Sequence, residues 1–317
     1  MHMPWVLVGM FCISVSLYAD HGPGTSGGGS TTQSGETLKP GKFAIEFREE
    51  YTEFEDLSRS SIERSAAKAG GIDLLDRSFF HSVGISYGIV ENFQIGASIG
   101  YYDAVDGREA EFDADEGETE ILTFDPDGVT DLWLSGKYRF YRGPFGNVAI
   151  FGGVKFPTGK HNVKNSEGER LEPSATAGSG SYDGMLGLAY SRFLTSRLTM
   201  DTSFQYTLRT EHDDFRLGDR IDAGVAVAYR FTEDIKSYPQ FGVVGEALLR
   251  HLYRSEEDGE DDPNTGGTAL FLAPGVRAAL NEYVAATISA PIPVWQDLNG
   301  EQLETDFKII GALTVSF

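Results

Sequence analysis

From Gly41 onward, apolar and polar positions alternate with period two in segment after segment, each about as long as a tilted strand needs to cross a bilayer. The clearest segment runs from Phe93 to Tyr101. Phe93, Ile95, Ala97, Ile99 and Tyr101 fall on one face, and Gln94, Gly96, Ser98 and Gly100 on the other, because successive side chains of a strand point to opposite sides. The stretch from Ile221 to Phe231 repeats the rule, with Asp222 and Arg230 opposite Ile221, Val225, Val227 and Tyr229, and so does the last segment, Phe307 to Phe317.

Twelve such segments start near Lys42, Ser78, Phe93, Thr130, Asn147, Tyr182, Arg197, Arg220, Gln240, Thr268, Tyr283 and Glu304. Short connections at 90–92, 142–146, 193–196, 232–239 and 281–282 alternate with long, polar and mostly acidic ones. An even strand count with short periplasmic turns and long external loops predicts an all-β fold: a transmembrane antiparallel up-and-down β-barrel of about 12 strands over residues 41–317, in the outer membrane, with both chain ends in the periplasm. Tyr87, Phe93, Tyr138, Phe140, Tyr190, Phe193, Tyr229, Phe231, Phe241 and Tyr283 cluster near the short turns, where a girdle of aromatic rings sits at headgroup level. The closing segment puts Leu313, Val315 and Phe317 on the lipid face. A terminal aromatic there resembles the signal by which barrels engage the barrel assembly machinery. Pro274 and Pro291 fall inside two segments and predict bulges or early strand ends, because proline cannot donate to the ladder. The ninth segment is ambiguous, since Val244 and Leu248 share a face with Glu246 and Arg250.

Before the barrel, Pro4 to Leu17 form an apolar run of signal-peptide length, too short to span a bilayer as a helix, with Ala19 as a small residue for cleavage; residues 1–19 read as a secretory signal. The single cysteine, Cys12, lies within it, so the exported chain is expected to hold neither thiol nor disulfide. Residues 20–40 are rich in Gly, Ser and Thr and read as a flexible periplasmic segment, the barrel mouth being the other place for them. No Gly-Lys-Ser/Thr follows the glycines, which sets aside a phosphate-binding loop.

The remaining chemistry follows from charge. A formal net charge of -22 disfavours nucleic acid as a partner. With apolar residues facing lipid, the lumen receives Glu46, Arg48, Glu50, Asp131, Lys137, Arg139, Lys155, Asp183, Asp201, Arg209, Asp222, Arg230, Glu246, Arg250, Arg277, Asp306 and Lys308, both signs in near balance. Such charges either pair into a network that fills a narrow barrel or line a polar pore that sorts solutes; for a pore, Lys137, Arg139, Arg230, Glu246 and Arg250 are the candidate lining. The acidic runs, Asp103 to Asp127 and Ser255 to Asp262, read as solvated loops, with divalent cations bridging to lipopolysaccharide as the sharper alternative. His81 and His251 fall on the outward face, but no nucleophile motif with a partnering acid accompanies them, so no enzyme, cofactor or metal site is expected.

The glycine-rich entry at Gly22 to Thr32, the stretch Gly41 to Phe47 with Tyr51 to Phe54, the stretch Gly128 to Tyr141 containing Asp131, Leu132 and Trp133, and the strand end Gly153 to Gly159 together resemble a family of predicted outer-membrane barrels labelled MetA-pathway phenol-degradation-like. The resemblance covers nearly the whole exported chain. It implies a barrel that transports small, hydrophobic or aromatic compounds, and it supplies no site residues.

Overall fold

A computed structural model describes residues 28–168 and 170–317; the expected signal peptide and the first residues of the Gly/Ser/Thr-rich segment lie outside the described residues. Twelve long antiparallel strands form the wall: β1 (Phe43–Phe54), β2 (Arg77–Val90), β3 (Phe93–Val105), β4 (Leu132–Gly143), β5 (Gly146–Phe156), β6 (Asp183–Phe193), β7 (Leu198–Leu208), β8 (Arg220–Arg230), β9 (Gln240–Leu252), β10 (Gly267–Ala279), β11 in two pieces (Val284–Ser289 and Ile292–Leu298) and β12 (Thr305–Ser316). Each pairs with its sequence neighbours, and β12 returns to pair with β1 from Ala44↔Ser316 to Phe54↔Thr305. The closing register is completed by reciprocal bonds of 2.9 Å between the Phe43 and Phe317 backbones. Closure joins the first strand to the last, as a chain surrounded by hydrocarbon requires.

Burial runs opposite to that of a water-soluble protein. In β1 the inward Ala44, Glu46, Arg48, Glu50 and Thr52 are buried, while the outward Phe47 is 52% exposed. The same inversion holds around the circumference, where Ile85, Ile95, Leu134, Val154, Leu188, Phe204, Val227, Val243, Val276, Ile288 and Leu313 are all exposed. A predominantly apolar exterior over a charged interior is stable only in lipid, so this is a transmembrane barrel, and such barrels reside in the outer membrane. Aromatic rings gather at the short-turn end as the sequence predicts: Phe43 stacks 4.4 Å from Tyr87 and 5.9 Å from Phe317, and Tyr229 meets Phe231 at 6.1 Å.

Strand starts fall within two residues of the predicted ones. The two prolines behave differently. Pro291 splits β11, whereas Pro274 sits in an unbroken β10, paired with Gly245. The Pro274 carbonyl accepts from the Ala290 N–H at 2.9 Å, so its missing donor faces the break in β11 and one gap accommodates both prolines. In β9, Val244, Glu246, Leu248 and Arg250 all point inward, which resolves the ambiguous register. Asp306 is exposed instead of lining the lumen, because it is the extra residue where Glu53 pairs with Phe307 but Phe54 with Thr305.

The long connections are more than solvated loops. Helix α1 (Arg59–Ala69) starts at Ser58, whose hydroxyl accepts from the Ser61 N–H, and stops at Gly70 in the left-handed region at φ 93°. Its Ile62 and Ala66 pack on Ile72, Leu74, Leu75, Ala110, Phe124, Val163 and Leu171, a core shared with the small sheet of Gly71–Leu74, Gly107–Asp113 and Glu118–Phe124. With Leu303 of the connection before β12 in the same cluster, four external loops fold together as a cap over the mouth.

The lipid-facing assignment has a direct consequence. Leu188, paired with Ile150 and Phe204 at mid-strand, should tolerate charge poorly: Leu188→Arg is expected to lower unfolding free energy in lipid vesicles by about 2–4 kcal/mol. Ser203→Ala on the lumen side should change it far less, as chemical denaturation of the refolded protein will show.

Candidate functional site: the barrel lumen

Residues 28–38, expected in the periplasm or the barrel mouth, run inside the barrel. The segment begins at mid-height against β9, passes β8, β7, β6 and β5 in turn, and leaves beside β2 and β3 to enter β1 at Gly41. Glu246 anchors the start: its carboxylate accepts from the Ser30 N–H (2.7 Å) and hydroxyl (2.9 Å), the Thr31 N–H (3.2 Å) and the Thr32 N–H and hydroxyl (both 2.9 Å). The Arg48 guanidinium donates to the Ser30 carbonyl. Further along, the Gln33 N–H donates to the Ser203 hydroxyl (3.1 Å) and the Gly35 N–H to the Ser191 hydroxyl (2.7 Å). Fully buried Lys137 donates to the carbonyls of Ser34 (2.6 Å) and Glu36 (3.3 Å), and Gln94 accepts from the Leu38 N–H (2.7 Å).

Glycine is what lets the segment lie this close to the wall. A Cβ on Gly29 would overlap the Glu246 carboxylate, and one on Gly35 would stand 2.6 Å from the Asn147 carbonyl. A Gly/Ser/Thr-rich chain therefore has two readings in sequence: it lacks side chains to bury, as a linker does, and it also fits a narrow polar space while offering hydroxyls and N–H groups to buried charges.

Above the segment lie two chambers. The central one has a charged side built from Glu50, Arg220, Asp222, Arg250 and Lys308 and an apolar side built from Leu248, Phe271, Pro291 and Ile310. The outer one is lined by Asp131, Trp133, Lys155, Asp183, Arg209 and the loop residues Pro173, Thr176, Ala177 and Ser179. Gln205 and Arg220 line both and stand between them. The charges are paired: Lys308 with Glu50 at 2.8 Å, Arg250 and Arg220 with Asp222 at 2.9 and 2.7 Å, and Lys155 with Asp183 at 2.5 Å and Asp131 at 3.3 Å. Asp131 also accepts from the Gly159 (2.8 Å) and Ser179 (3.0 Å) N–H groups, which holds the loop after β5 in the external mouth.

The structure separates the five candidate lining residues. Glu246 and Lys137 grip the internal segment, Arg250 faces the central chamber, and Arg139 and Arg230 sit at the periplasmic rim. There Arg139 donates to the Glu91 carbonyl (2.8 Å) and Arg230 to the Ser196 carbonyl (2.8 Å), with the Arg230 guanidinium 5.4 Å from the Phe193 ring. Arg220, Gln205, Ser191 and Gln94 escaped the charge-alternation reading, the first because it opens a strand and the others because they carry no charge. His81 pairs with Glu49 on the exposed face, and the His251 ring bonds the Thr268 hydroxyl at 2.8 Å; neither is set beside a serine nucleophile in those bonds.

A family model described as "Putative MetA-pathway of phenol degradation" matches residues 86–294. The chain belongs to this family. Among curated proteins none matches. Among solved structures, the COG4313 outer membrane channel from Pseudomonas putida F1 superposes with a TM-score of 0.62 at 12% identity, covering 89% of this chain and 97% of that one. The KdgM porin (TM-score 0.45, 9% identity, 86% and 99% covered) and the NanC porin (0.45, 10%, 86% and 98%) are more distant. The first shares the barrel fold of this family member.

The cap over the mouth holds its own carboxyl groups. Burial, reinforced by Glu109 and Glu111, pushes Asp73 well above the ordinary carboxylate range, and burial with Asp73, Glu257, Asp262 and Glu109 nearby does the same for Glu172. A carboxyl with a raised folded pKa binds more protons folded than unfolded, so stability is lost as pH rises from the ordinary range through the raised value. Cap amides in 71–74 and 107–113 should therefore exchange about tenfold or more slowly at pH 5 than at pH 8, after correction for intrinsic exchange rates. Asp73→Asn with Glu172→Gln should flatten that dependence, as hydrogen-exchange mass spectrometry will read.

Proposed function

We propose that the protein is a non-enzymatic outer-membrane channel that passes small solutes, aromatic ones among them, through its charged lumen. The observation that carries this reading is the pair of chambers inside the barrel, which share Gln205 and Arg220 as lining. The fold likeness to a protein named as an outer membrane channel supports it. A chamber with a charged side facing an apolar one suits molecules that pair an aromatic body with a polar group. Paired charges of both signs let such a solute exchange partners without leaving any ion bare. On this reading Phe317 presents the final strand to the assembly machinery, and the acidic loops face lipopolysaccharide and its divalent cations.

The ion pairs and the internal segment favour one rival, a barrel closed by its own contents. Planar-bilayer recording of the refolded protein separates the two. The proposal expects discrete conductance steps from the native chain and larger, noisier steps from Glu246→Ala, which releases Ser30 to Thr32. Electrical silence from both, with no solute entry into liposomes, would establish the closed barrel.

A further inference from the structure

The periplasmic end of the lumen is basic, in a chain whose formal net charge is -22. The ladder sets Arg230 of β8 level with Gly242 of β9, and Gly242 level with Arg277 of β10. Two inward arginines are thus separated by the one residue type that puts no side chain between them. A guanidinium is a rigid fork that grips a carboxylate with two parallel hydrogen bonds, so two of them flanking a glycine form a clamp for an anion. Arg139 of β4 completes the set. The Glu91 carbonyl that accepts from Arg139 also accepts from the Thr37 hydroxyl at 2.9 Å, which places Arg139 beside residue 37 of the internal segment.

The residue before Thr37 is Glu36, and its carboxylate acts electrostatically on Arg139, Arg230 and Arg277 alike. Its backbone is fixed by Lys137, which donates to the Glu36 carbonyl at 3.3 Å. The neighbouring carboxylates are engaged elsewhere as well: Glu91 pairs with Arg142 at 2.6 Å, and Asp201, which acts on Arg277, accepts from the Ser191 hydroxyl. Three cations from three strands therefore surround one partly buried carboxylate that the chain itself supplies. Even with Asp201 counted, the guanidinium groups outnumber the carboxylates, and a surplus of fixed positive charge in a confined space draws mobile anions. Rings stand beside them: Phe193 lies 5.4 Å from the Arg230 guanidinium, and Tyr238 of the turn before β9 acts electrostatically with Arg230 and Arg277. Guanidinium planes and rings offer flat faces on which a solute ring can stack while its charge is gripped.

We infer that Arg139, Arg230 and Arg277 form a carboxylate-binding site at the periplasmic exit of the lumen, that the Glu36 side chain occupies it in the resting barrel, and that the solute displacing Glu36 is an aromatic carboxylate. The inference rests on the lumen admitting solutes and narrows their class: an apolar body suits the central chamber, and a carboxylate suits the exit. One carboxylate replaces another in the exchange, so no guanidinium is left bare. A neutral aromatic solute has no such exchange to make and leaves Glu36 in place.

Two substitutions act on the site in opposite senses. Glu36→Gln removes the internal carboxylate, and Arg230→Gln removes one arm of the clamp. Benzoate is titrated calorimetrically into refolded native and variant barrels in detergent, with detergent alone subtracted and benzyl alcohol as the uncharged probe. The reversal potential in a potassium chloride gradient is recorded in planar bilayers alongside. The site predicts benzoate binding at least fivefold tighter with Glu36→Gln and at least fivefold weaker with Arg230→Gln, benzyl alcohol being indifferent to both. It also predicts a reversal potential shifted toward anions in Glu36→Gln, all in barrels that keep the heat-shifted gel mobility of the folded state. Folded variants that bind benzoate just as the native chain does would overturn the site, while a conducting native barrel would keep the channel. Benzoate binding that follows both substitutions in a barrel that never conducts would keep the site and remove the channel.

Discussion

Inside a bilayer no water is available to an unpaired peptide group, and each one left bare costs several kcal/mol. That constraint explains why β12 returns to β1 and why Phe43 and Phe317 exchange backbone hydrogen bonds. Once the sheet is closed, period-two alternation leaves only two environments: every apolar residue turned out meets lipid, and every polar residue turned in enters a confined space. The inverted burial, with Arg48 1% exposed and Phe47 52% exposed one position away, is the same constraint seen at side-chain level.

Confinement then sets the interior chemistry. Charges removed from water need partners, and this barrel provides them in two ways. Near the external side they pair with each other, as Lys155 does with Asp183 and Lys308 with Glu50. Lower down, the partner is backbone and hydroxyl from residues 28–38: Glu246 takes five hydrogen bonds from three consecutive residues. The space left over is the pair of chambers, and the apolar side of the central one exists because Leu248 and Phe271 point inward among charges. A fully polar lumen would suit ions and sugars; the proposed passage of solutes with an apolar body rests on this mixture.

Alternation and loop length made the barrel legible, because period two is a local property that each segment carries by itself. Strand existence, strand starts and the outward girdle could therefore be read without knowing the neighbours. What stayed hidden depends on pairs distant in sequence. Glu246 and Ser30 meet across the barrel, and nothing local to either residue marks the contact. Asp306 left the lumen because of a one-residue bulge set by Glu53 and Phe54 on another strand. Pro274 appeared as disruptive as Pro291, yet it is accommodated because its missing donor faces a gap that Pro291 already makes. The acidic external loops masked the apolar set Ile62, Ile72, Leu74 and Leu75, whose packing into a cap joins four separate connections.

Closure of the sheet is the claim on which the rest stands, and a pair of engineered cysteines measures it most directly. In a chain with Cys12 replaced, Ala44→Cys with Ser316→Cys spans the closing seam, and Phe43→Cys with Tyr87→Cys spans the ordinary hairpin beside it. Oxidation of the folded protein in membranes should crosslink both pairs to similar extents. Crosslinking of the hairpin pair alone, with residues 44 and 316 remaining free thiols, would mean an open sheet and would contradict the account.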